Sequence, residues 1–290
     1  LKKLHKKYPL FDPEKFHDAC GVGFVATKNG KADPKVLPSA LSALQRLTHR
    51  GAKAYDGNSG DGSGILVDIP RKFFSDYLLK KHSLKVPKND TLAIASIFAK
   101  GINDKTIVNN FLDLTKKEKI QFLALRKVPV DENALGDLSK ECKPKILQLI
   151  FSTKIKDSSK LERKLYLIRK KIEKKLCPRY KRFYICSFSS KTIIYKGLLS
   201  SDQLAKFYKD LNHDLFVVKV ALFHERFSTN TFSSWEMAQP FRMIAHNGEF
   251  NTIKGSRLWM NSREGNLESK VWKDDIDFLK PITKSTGSDS

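Results

Sequence analysis

Apolar residues recur at helical spacing in three parts of the chain. In segment 34–51, PKVLPSALSALQRLTHRG, leucines recur every three or four residues up to Gly51, which predicts a helix that ends at this glycine. Segment 159–176, SKLERKLYLIRKKIEKKL, carries leucines and isoleucines on one stripe and lysines on the other, as an amphipathic helix does. A third helix is predicted around 104–114, DKTIVNNFLDL.

Shorter apolar or alternating runs predict β-strands elsewhere. The predicted strands are CGVGFVAT at 20–27, ILVDIP at 65–70, TLAIASIFA at 91–99, QFLALRKVPV at 121–130, FYICSFSS at 183–190, TIIYKGLL at 192–199, FVVKVALFHERFS at 216–228 and FRMIAHNGEF at 241–250. The first is expected to be buried, and the runs at 183–190 and 192–199 are expected to pair. Since strands and helices do not alternate strictly, we expect a layered α+β domain and not a doubly wound sheet.

Composition favours a globular protein without a membrane-spanning segment. Apolar residues make up 40% of the 290 residues, and no apolar run approaches the roughly 18 that a bilayer requires. Basic residues number 54 and acidic residues 31, so the formal net charge is +23. The excess is mostly dispersed lysine without an aromatic-interleaved nucleic-acid signature, so we interpret it as solvated surface and expect no nucleic-acid or membrane partner.

Four cysteines indicate a reduced compartment, and the protein is expected to be cytoplasmic. No C-x-x-C pair or zinc-type spacing is present, so no metal site is predicted. Cys142, Cys177 and Cys186 are interpreted as inert thiols. Cys20 differs because it opens the segment CGVGF.

Five segments together resemble one family. They are CGVGF at 20–24, HRGAKAYDGNSGDGSG at 49–64, HERFSTNT at 224–231, FRMIAHNGEFNTIKG at 241–255 and TGSDS at 286–290. In order and spacing they are similar to the class II glutamine amidotransferase domain of glutamate synthases. CGVGF and HNGE recur across the wider class, whereas GDGSG, RFSTNT with AQPFR, and HNGEFNTIKG are typical of glutamate synthase.

The resemblance implies a four-layer αββα sandwich of the N-terminal-nucleophile hydrolase type over residues 20–290. It implies that Cys20 is the nucleophile and that its own α-amine is the base, with an unperturbed pKa of about 7.7–8.0. Residues 1–19 then correspond to a propeptide, because the amide that joins Ala19 to Cys20 has no basicity. A domain that continues beyond Ser290 is also expected, since Asp289 stands so near the end.

The same resemblance assigns the remaining site residues. Asn247 and Gly248 correspond to the oxyanion donors, although an Asn-Gly turn is the simpler interpretation of this pair alone. Arg226 corresponds to the ligand of the substrate α-carboxylate, with a surface ion pair to Glu225 as its alternative. Asp289 corresponds to the ligand of the α-ammonium. Residues expected to line the same pocket are Ser228, Thr229 and Asn230.

Other conspicuous residues are predicted to be structural. The loop GNSGDGSG lacks the lysine of a phosphate-binding loop and is not followed by a helix, so it is interpreted as a tight turn near the site. The residues expected to serve the scaffold are His49, Arg50, His224 and His246.

The expected partners are L-glutamine and the synthase domains of the same polypeptide. No cofactor is expected in this chain, whereas FMN and an iron–sulfur cluster are implied for the remainder of the full-length enzyme. Two alternatives stay open. One is the amidotransferase domain of another synthase, against which RFSTNT and AQPFR argue, and the other is an unprocessed, non-enzymatic basic binding module on the same fold.

Overall fold

The computed structural model describes residues 21–225, 233–242 and 252–283. Within them the strands are β1 (Val22–Ala26), β2 (Ser63–Asp68), β3 (Thr91–Ala99), β4 (Gln121–Lys127), β5 (Lys145–Thr153), β6 (Phe183–Ser189), β7 (Thr192–Gly197) and β8 (Val220–Glu225). The helices are α1 (Val36–Arg46), α2 (Arg71–His82), α3 (Asp104–Thr115), α4 (Asp137–Glu141), α5 (Ser158–Leu176), α6 (Ser201–Phe207), α7 (Ile253–Glu264) and α8 (Ile276–Leu279).

The described strands form two antiparallel sheets. The order in the first sheet is β1-β8-β2-β7, and the order in the second is β4-β5-β3-β6. Helices lie between the strands along the chain and pack against the sheets, α1 on β1 and β8, and α5 on β6. This mixture of helices and antiparallel sheets agrees with the predicted α+β class.

The apolar run of β3 faces two separate hydrophobic clusters. The even-numbered Ile94 and Phe98 belong to a cluster shared by both sheets with α1, α2 and α6. The odd-numbered Ala93 and Ile97 belong to a second cluster that the second sheet forms with α3 and α5. Because successive side chains of a strand point to opposite faces, this strand is apolar at nearly every position.

Strands β6 and β7 do not pair with each other, so the prediction that they do was wrong. β6 pairs with β3 in the second sheet, and β7 pairs with β2 in the first. Glu162 of α5 accepts hydrogen bonds from Ser189 Oγ at 2.9 Å and from Ser190 N at 2.7 Å. Ser189 Oγ in turn accepts from Lys191 N at 3.0 Å. These side-chain contacts fix the short connection as a crossover from one sheet to the other.

Strand β1 is less buried than predicted. Phe24 is 71% exposed, whereas Val25 packs against the shared cluster. Within the described residues β1 lies at the edge of its sheet, where β8 is its neighbour. Gly23 leaves room for an aromatic ring, since a Cβ at this position would lie 2.5 Å from Phe223 Cζ.

The three predicted helices match α1, α3 and α5, with one correction at an end. In α1, Leu37, Leu41 and Leu44 are buried as the spacing predicts. The helix ends at Arg46 with Leu47 as its C-cap, and Gly51 has extended backbone angles (φ −79°, ψ 160°). Gly51 therefore does not cap the helix as predicted, because a short 3-10 turn over Thr48–Arg50 intervenes.

Helix α5 buries one apolar stripe and exposes lysines. Its first turn is capped by Asp157, whose side chain accepts from Lys160 N at 2.9 Å. Helix α8 packs on α5, where Lys174 Nζ donates to Asp277 O at 2.7 Å. Across the described ranges, we find no helix with both the length and the apolar character needed to cross a bilayer.

A buried ion pair joins the two sheets. Arg126 on β4 and Asp210 are 4% and 2% exposed. The Arg126 guanidinium donates to both carboxylate oxygens of Asp210, at 2.7 and 2.6 Å, and to Gln148 Oε1 at 2.8 Å. The hydroxyl of Tyr195, on β7 of the first sheet, donates to Asp210 at 2.8 Å. Each charge is therefore matched by an opposite charge and by further hydrogen bonds.

Removal of the carboxylate of this pair should destabilise the fold strongly. In Asp210→Ala the guanidinium of Arg126 stays buried without its counter-charge, and we expect the free energy of unfolding to fall by about 3–5 kcal/mol. The exposed Asp214 provides the matched control, and Asp214→Ala should change stability by no more than about 0.5 kcal/mol. Urea unfolding of both variants measures the difference, and equal stabilities would contradict the assigned role of the ion pair.

Candidate active site

All of the predicted site residues lie outside the described residues. They are Cys20, Arg226, Ser228, Thr229, Asn230, Asn247, Gly248 and Asp289. Their assignments therefore stay predictions, and the described residues that adjoin them in the chain form the surroundings of the candidate site.

The ends of β1 and β8 bring together the neighbours of two predicted site residues. Val22 lies opposite His224 in the antiparallel register. One step further along, Glu225 N donates to Gly21 O at 2.7 Å. Gly21 is bonded to Cys20, and Glu225 is bonded to Arg226. The described parts of the chain next to Cys20 and Arg226 therefore lie at the same end of the first sheet.

The glycine-rich turn leads to the same end of the first sheet. Ser63, the first residue of β2, lies opposite Glu225 on one side and Gly197 on the other. Gly60 lets the turn approach another backbone closely, since a Cβ here would lie 2.2 Å from both Leu199 C and Ser200 N. As predicted, the turn leads into a strand and not into a helix.

A single carboxylate organises the start of this turn. Asp56 accepts hydrogen bonds from Ser59 Oγ at 2.5 Å, from Ser59 N at 2.7 Å and from Asn58 N at 3.0 Å. It also accepts from Leu138 N at 3.2 Å, at the start of α4. The hydrogen bonds, that from the Ser59 side chain above all, hold the pKa of Asp56 well below its usual range. Asp56 is therefore ionised at neutral pH, and it ties the turn to a distant helix.

Glu225, at the same end of the first sheet, has a buried carboxyl group and is not a surface residue. It is 1% exposed, so the alternative of a surface ion pair with Arg226 was wrong about this residue. Ser201 N donates to its Oε1 at 3.3 Å. Burial raises the pKa of Glu225 to about 8, and the charges of Asp61 and Asp202 act in the same direction, whereas hydrogen bonds from Ser63 and Ser201 lower it. The carboxyl is therefore mainly neutral at pH 7.

A buried lysine holds the segment that contains AQPFR. Lys196 on β7 is 1% exposed, and its Nζ donates to Glu236 O at 2.9 Å. The same nitrogen lies 4.4 Å from the ring centre of Phe241 and 4.9 Å from that of Tyr184. Burial lowers the pKa of Lys196 to about 8. Lys196 thus fixes residues 233–242, which stand in the sequence between the two segments that carry Arg226 and Asn247.

The three described cysteines have the properties predicted for inert thiols. Cys142 and Cys177 are half-buried, Cys186 is buried, and none of these three described residues forms a disulfide. Burial raises the pKa of Cys142, and it raises that of Cys186 to about 12. Neither of these two thiols is thus a thiolate near neutral pH.

The two described histidines of the motifs lie next to secondary structure or within it, and their predicted scaffold role stays a prediction. His49 Nδ1 lies 3.1 Å from Arg46 O, at the end of α1. His224 is half-buried within the ladder of β8, opposite both Val22 and Gly64. Among the residues that the structure describes, no three His, Cys, Asp or Glu side chains come together as a metal site would need.

Glu225 and Lys196 were not singled out from the sequence. In VALFHE, the buried positions Ala221 and Phe223 alternate with half-buried ones, and Glu225 follows at the next buried position. This period of two was the available signal. Lys196 gives no comparable signal, because its burial depends on residues about 40 positions later in the chain.

Comparison with known proteins identifies similar sequences over nearly the whole chain. The profile of the family described as "Glutamine amidotransferases class-II" matches residues 20–290. A ferredoxin-dependent glutamate synthase of Pyropia yezoensis is 41% identical over 295 residues, covering 99% of this chain and 19% of that protein. An NADH glutamate synthase of Saccharomyces cerevisiae is 41% identical over 297 residues, covering 98% of this chain and 14% of that protein.

A bacterial relative gives the same result. The large chain of an NADPH glutamate synthase of Bacillus subtilis is 38% identical over 292 residues, which cover 99% of this chain and 19% of that protein. The chain thus spans less than a fifth of the length of these three relatives.

The close approach at Gly60 can be tested by adding one methyl group. In Gly60→Ala the new Cβ would overlap the backbone at Leu199 and Ser200, so we expect a loss of stability of about 1–3 kcal/mol. Gly265 is the control, because it has helical backbone angles and no atom within 4 Å of an added Cβ. Thermal unfolding should show a lower midpoint for Gly60→Ala alone, and an unchanged midpoint would contradict the close approach.

Proposed function

The chain belongs to the class-II glutamine amidotransferase family, and from this we propose that it is the glutamine-hydrolysing part of a glutamate synthase. In the proposed reaction glutamine and water give glutamate and ammonia. The observation that carries the proposal is the hydrogen bond from Glu225 N to Gly21 O at 2.7 Å, which joins the segments leading to Cys20 and Arg226. The glutamate synthase names of the relatives support the choice within the family.

In the proposed mechanism the thiol of Cys20 attacks the side-chain carboxamide of glutamine. The α-amine of Cys20 accepts the thiol proton and delivers it to the departing nitrogen, so ammonia leaves and a thioester remains. Water, deprotonated by the same amine, then attacks the thioester and releases glutamate with the free thiol. Asn247 and Gly248 are proposed to donate hydrogen bonds to the oxyanion that forms in both steps.

Substrate selection is assigned to opposite charges. Arg226 would bind the α-carboxylate of glutamine through a bidentate pair, and Asp289 would bind the α-ammonium. Pocket-lining roles are proposed for Ser228, Thr229 and Asn230. A site with both charges favours free amino acids over other amides.

The proposed base exists only after cleavage between Ala19 and Cys20. We therefore assign residues 1–19 as a propeptide and residues 20–290 as amidotransferase domain. The two antiparallel sheets with their packed helices support a sandwich of the N-terminal-nucleophile type. Ammonia would pass to a second site, where 2-oxoglutarate is aminated, and FMN and an iron–sulfur cluster would be bound by that remaining part of the polypeptide.

Replacement of the nucleophile should separate two activities. In the processed full-length enzyme, Cys20→Ala is expected to abolish glutamine-dependent glutamate formation, because no thioester can form. Activity with added ammonia should survive, since it bypasses the thiol. Cys177→Ala is the control and should retain both activities in the same assay.

The mass of the native protein completes this test. We expect the intact mass to be that of a protein whose first residue is Cys20. An active protein that retains residues 1–19 would contradict the amine as base, and an unprocessed, inactive native protein would favour the binding-module alternative.

Loss of one oxyanion donor should slow hydrolysis without abolishing it. For Asn247→Ala we expect glutamine hydrolysis to fall roughly 10²–10³-fold, because one hydrogen bond to the tetrahedral intermediate is lost. The exposed Asn266 is the control, and Asn266→Ala should hydrolyse glutamine normally. Steady-state ammonia release measures both, and wild-type turnover by Asn247→Ala would remove Asn247 from this role.

A further inference from the structure

We propose that Glu225 is a positioning residue for glutamine hydrolysis, holding the end of β8 against the start of β1 so that Cys20 and Arg226 enter the site in fixed places. This inference rests on the function proposed above and adds a residue to it. Glu225 contacts Gly21, the neighbour of the proposed reacting residue, so its proposed effect on the reaction is transmitted through the backbone.

The backbone of Glu225 makes the last described link between the two strands. Its amide donates to Gly21 O at 2.7 Å, one residue beyond the pair Val22 and His224. Gly21 is buried, and it is the residue bonded to Cys20. A shift of Gly21 would pass along the chain to Cys20, and a displacement near 1 Å can lower a catalytic rate about 10²-fold.

Glu225 contacts three further segments at the same point, two through its side chain and one through its backbone. A Cβ added to Gly51 would lie 2.5 Å from Glu225 Oε1, so the 3-10 turn after α1 packs directly on the carboxyl. Ser201 N reaches the same oxygen at 3.3 Å from the start of α6. Ser63, at the start of β2, lies directly opposite in the ladder. Through its side chain and its backbone together, Glu225 therefore couples the end of the glycine-rich turn and the start of α6 to the start of β1.

The surroundings of the carboxyl favour its neutral form. It is buried, and the charges that act on it most strongly are both acidic, Asp61 from the glycine-rich turn and Asp202 from α6. The other groups acting on it are the Ser63 hydroxyl and the Ser201 amide, which stabilise the anion only in part. At pH 7 the neutral carboxyl thus places no buried negative charge near those of Asp61 and Asp202.

The pH dependence follows from the raised pKa of this group. In the unfolded chain Glu225 ionises near its ordinary value of 4.5, whereas in the fold its pKa is about 8. Below pH 4.5 the carboxyl is protonated in both the folded and the unfolded chain, so its titration costs the fold no stability. Stability is lost as the pH rises from 4.5 to about 8, because only the unfolded chain gives up the proton freely. A glutamine at this position cannot ionise and escapes this loss.

Three variants of the processed full-length enzyme test the proposal. Glu225→Ala removes the side chain, Glu225→Gln keeps its shape without a titratable group, and Glu268→Gln changes an exposed glutamate as the control. The readouts are kcat and KM for glutamine between pH 6 and 9, the rate at which iodoacetamide alkylates Cys20, and urea unfolding at pH 5 and pH 8.

We expect Glu225→Ala to lower kcat about 10²-fold, to raise KM and to change the alkylation rate of Cys20. Glu225→Gln should restore most of the activity at pH 7 and lose less of it than wild type above pH 8. The free energy of unfolding of Glu225→Gln minus that of wild type should be larger at pH 8 than at pH 5. Glu268→Gln should match wild type throughout.

The outcomes separate this inference from the proposed function. A wild-type enzyme that does not hydrolyse glutamine would overturn the proposed function, and the alkylation and unfolding measurements would still decide the role of Glu225. Equal alkylation of Cys20 in wild type and Glu225→Ala would overturn the positioning role. If Glu225→Ala does not fold, Glu225→Gln decides, because pH profiles of kcat and of Cys20 alkylation identical to those of wild type between pH 6 and 9 would overturn the positioning role of the carboxyl.

Discussion

The pairing of β8 with two strands at once is the constraint on which the candidate site depends. His224 lies opposite Val22 of β1 and opposite Gly64 of β2, so one strand sets the register of both neighbours. Because side chains alternate with a period of two, a slip by one residue would move Phe223 and Glu225 to the other face of the sheet. The register therefore fixes the core, the buried carboxyl and the direction in which the chain leaves toward Arg226.

Regular periodicity was sufficient for much of the fold. The predicted run at 91–99 coincides with β3, and α5 follows its leucine stripe, since in both cases local pattern and tertiary packing agree. Helix α2 was not predicted, because its buried Phe73 and Phe74 are adjacent and form no regular stripe. Strand β5 was overlooked although its segment, KILQLIFST, is apolar. The choice of sheet for β6 and β7 depends on contacts with Glu162, which no local pattern contains.

The candidate site was recognised from motif order, whereas its electrostatics required the structure. Glu225 and Lys196 lie near the same end of the first sheet but on opposite faces, since Glu225 shares its face with Gly197, the residue after Lys196. Burial shifts their pKa values in opposite directions, up for the acid and down for the base, and both reach about 8. Near that pH each of these two groups thus carries only part of its formal charge. Neither shift could be predicted, because each depends on segments that are remote in sequence.

The position of β1 in the first sheet also has a consequence for how the protein is made. β1 is the first described strand, yet its neighbour β8 is the last, about 200 residues later in the chain. At a translation rate of about 5–20 residues per second, the ribosome needs roughly 10–40 s to make the intervening polypeptide. During this time the strand that follows Cys20 has no β8 to pair with, and its backbone and Phe24 stay open to other strands or to chaperones. Of the described strands, β1 is thus synthesised first, yet it can pair in its sheet only after β8, the last of them, has been made.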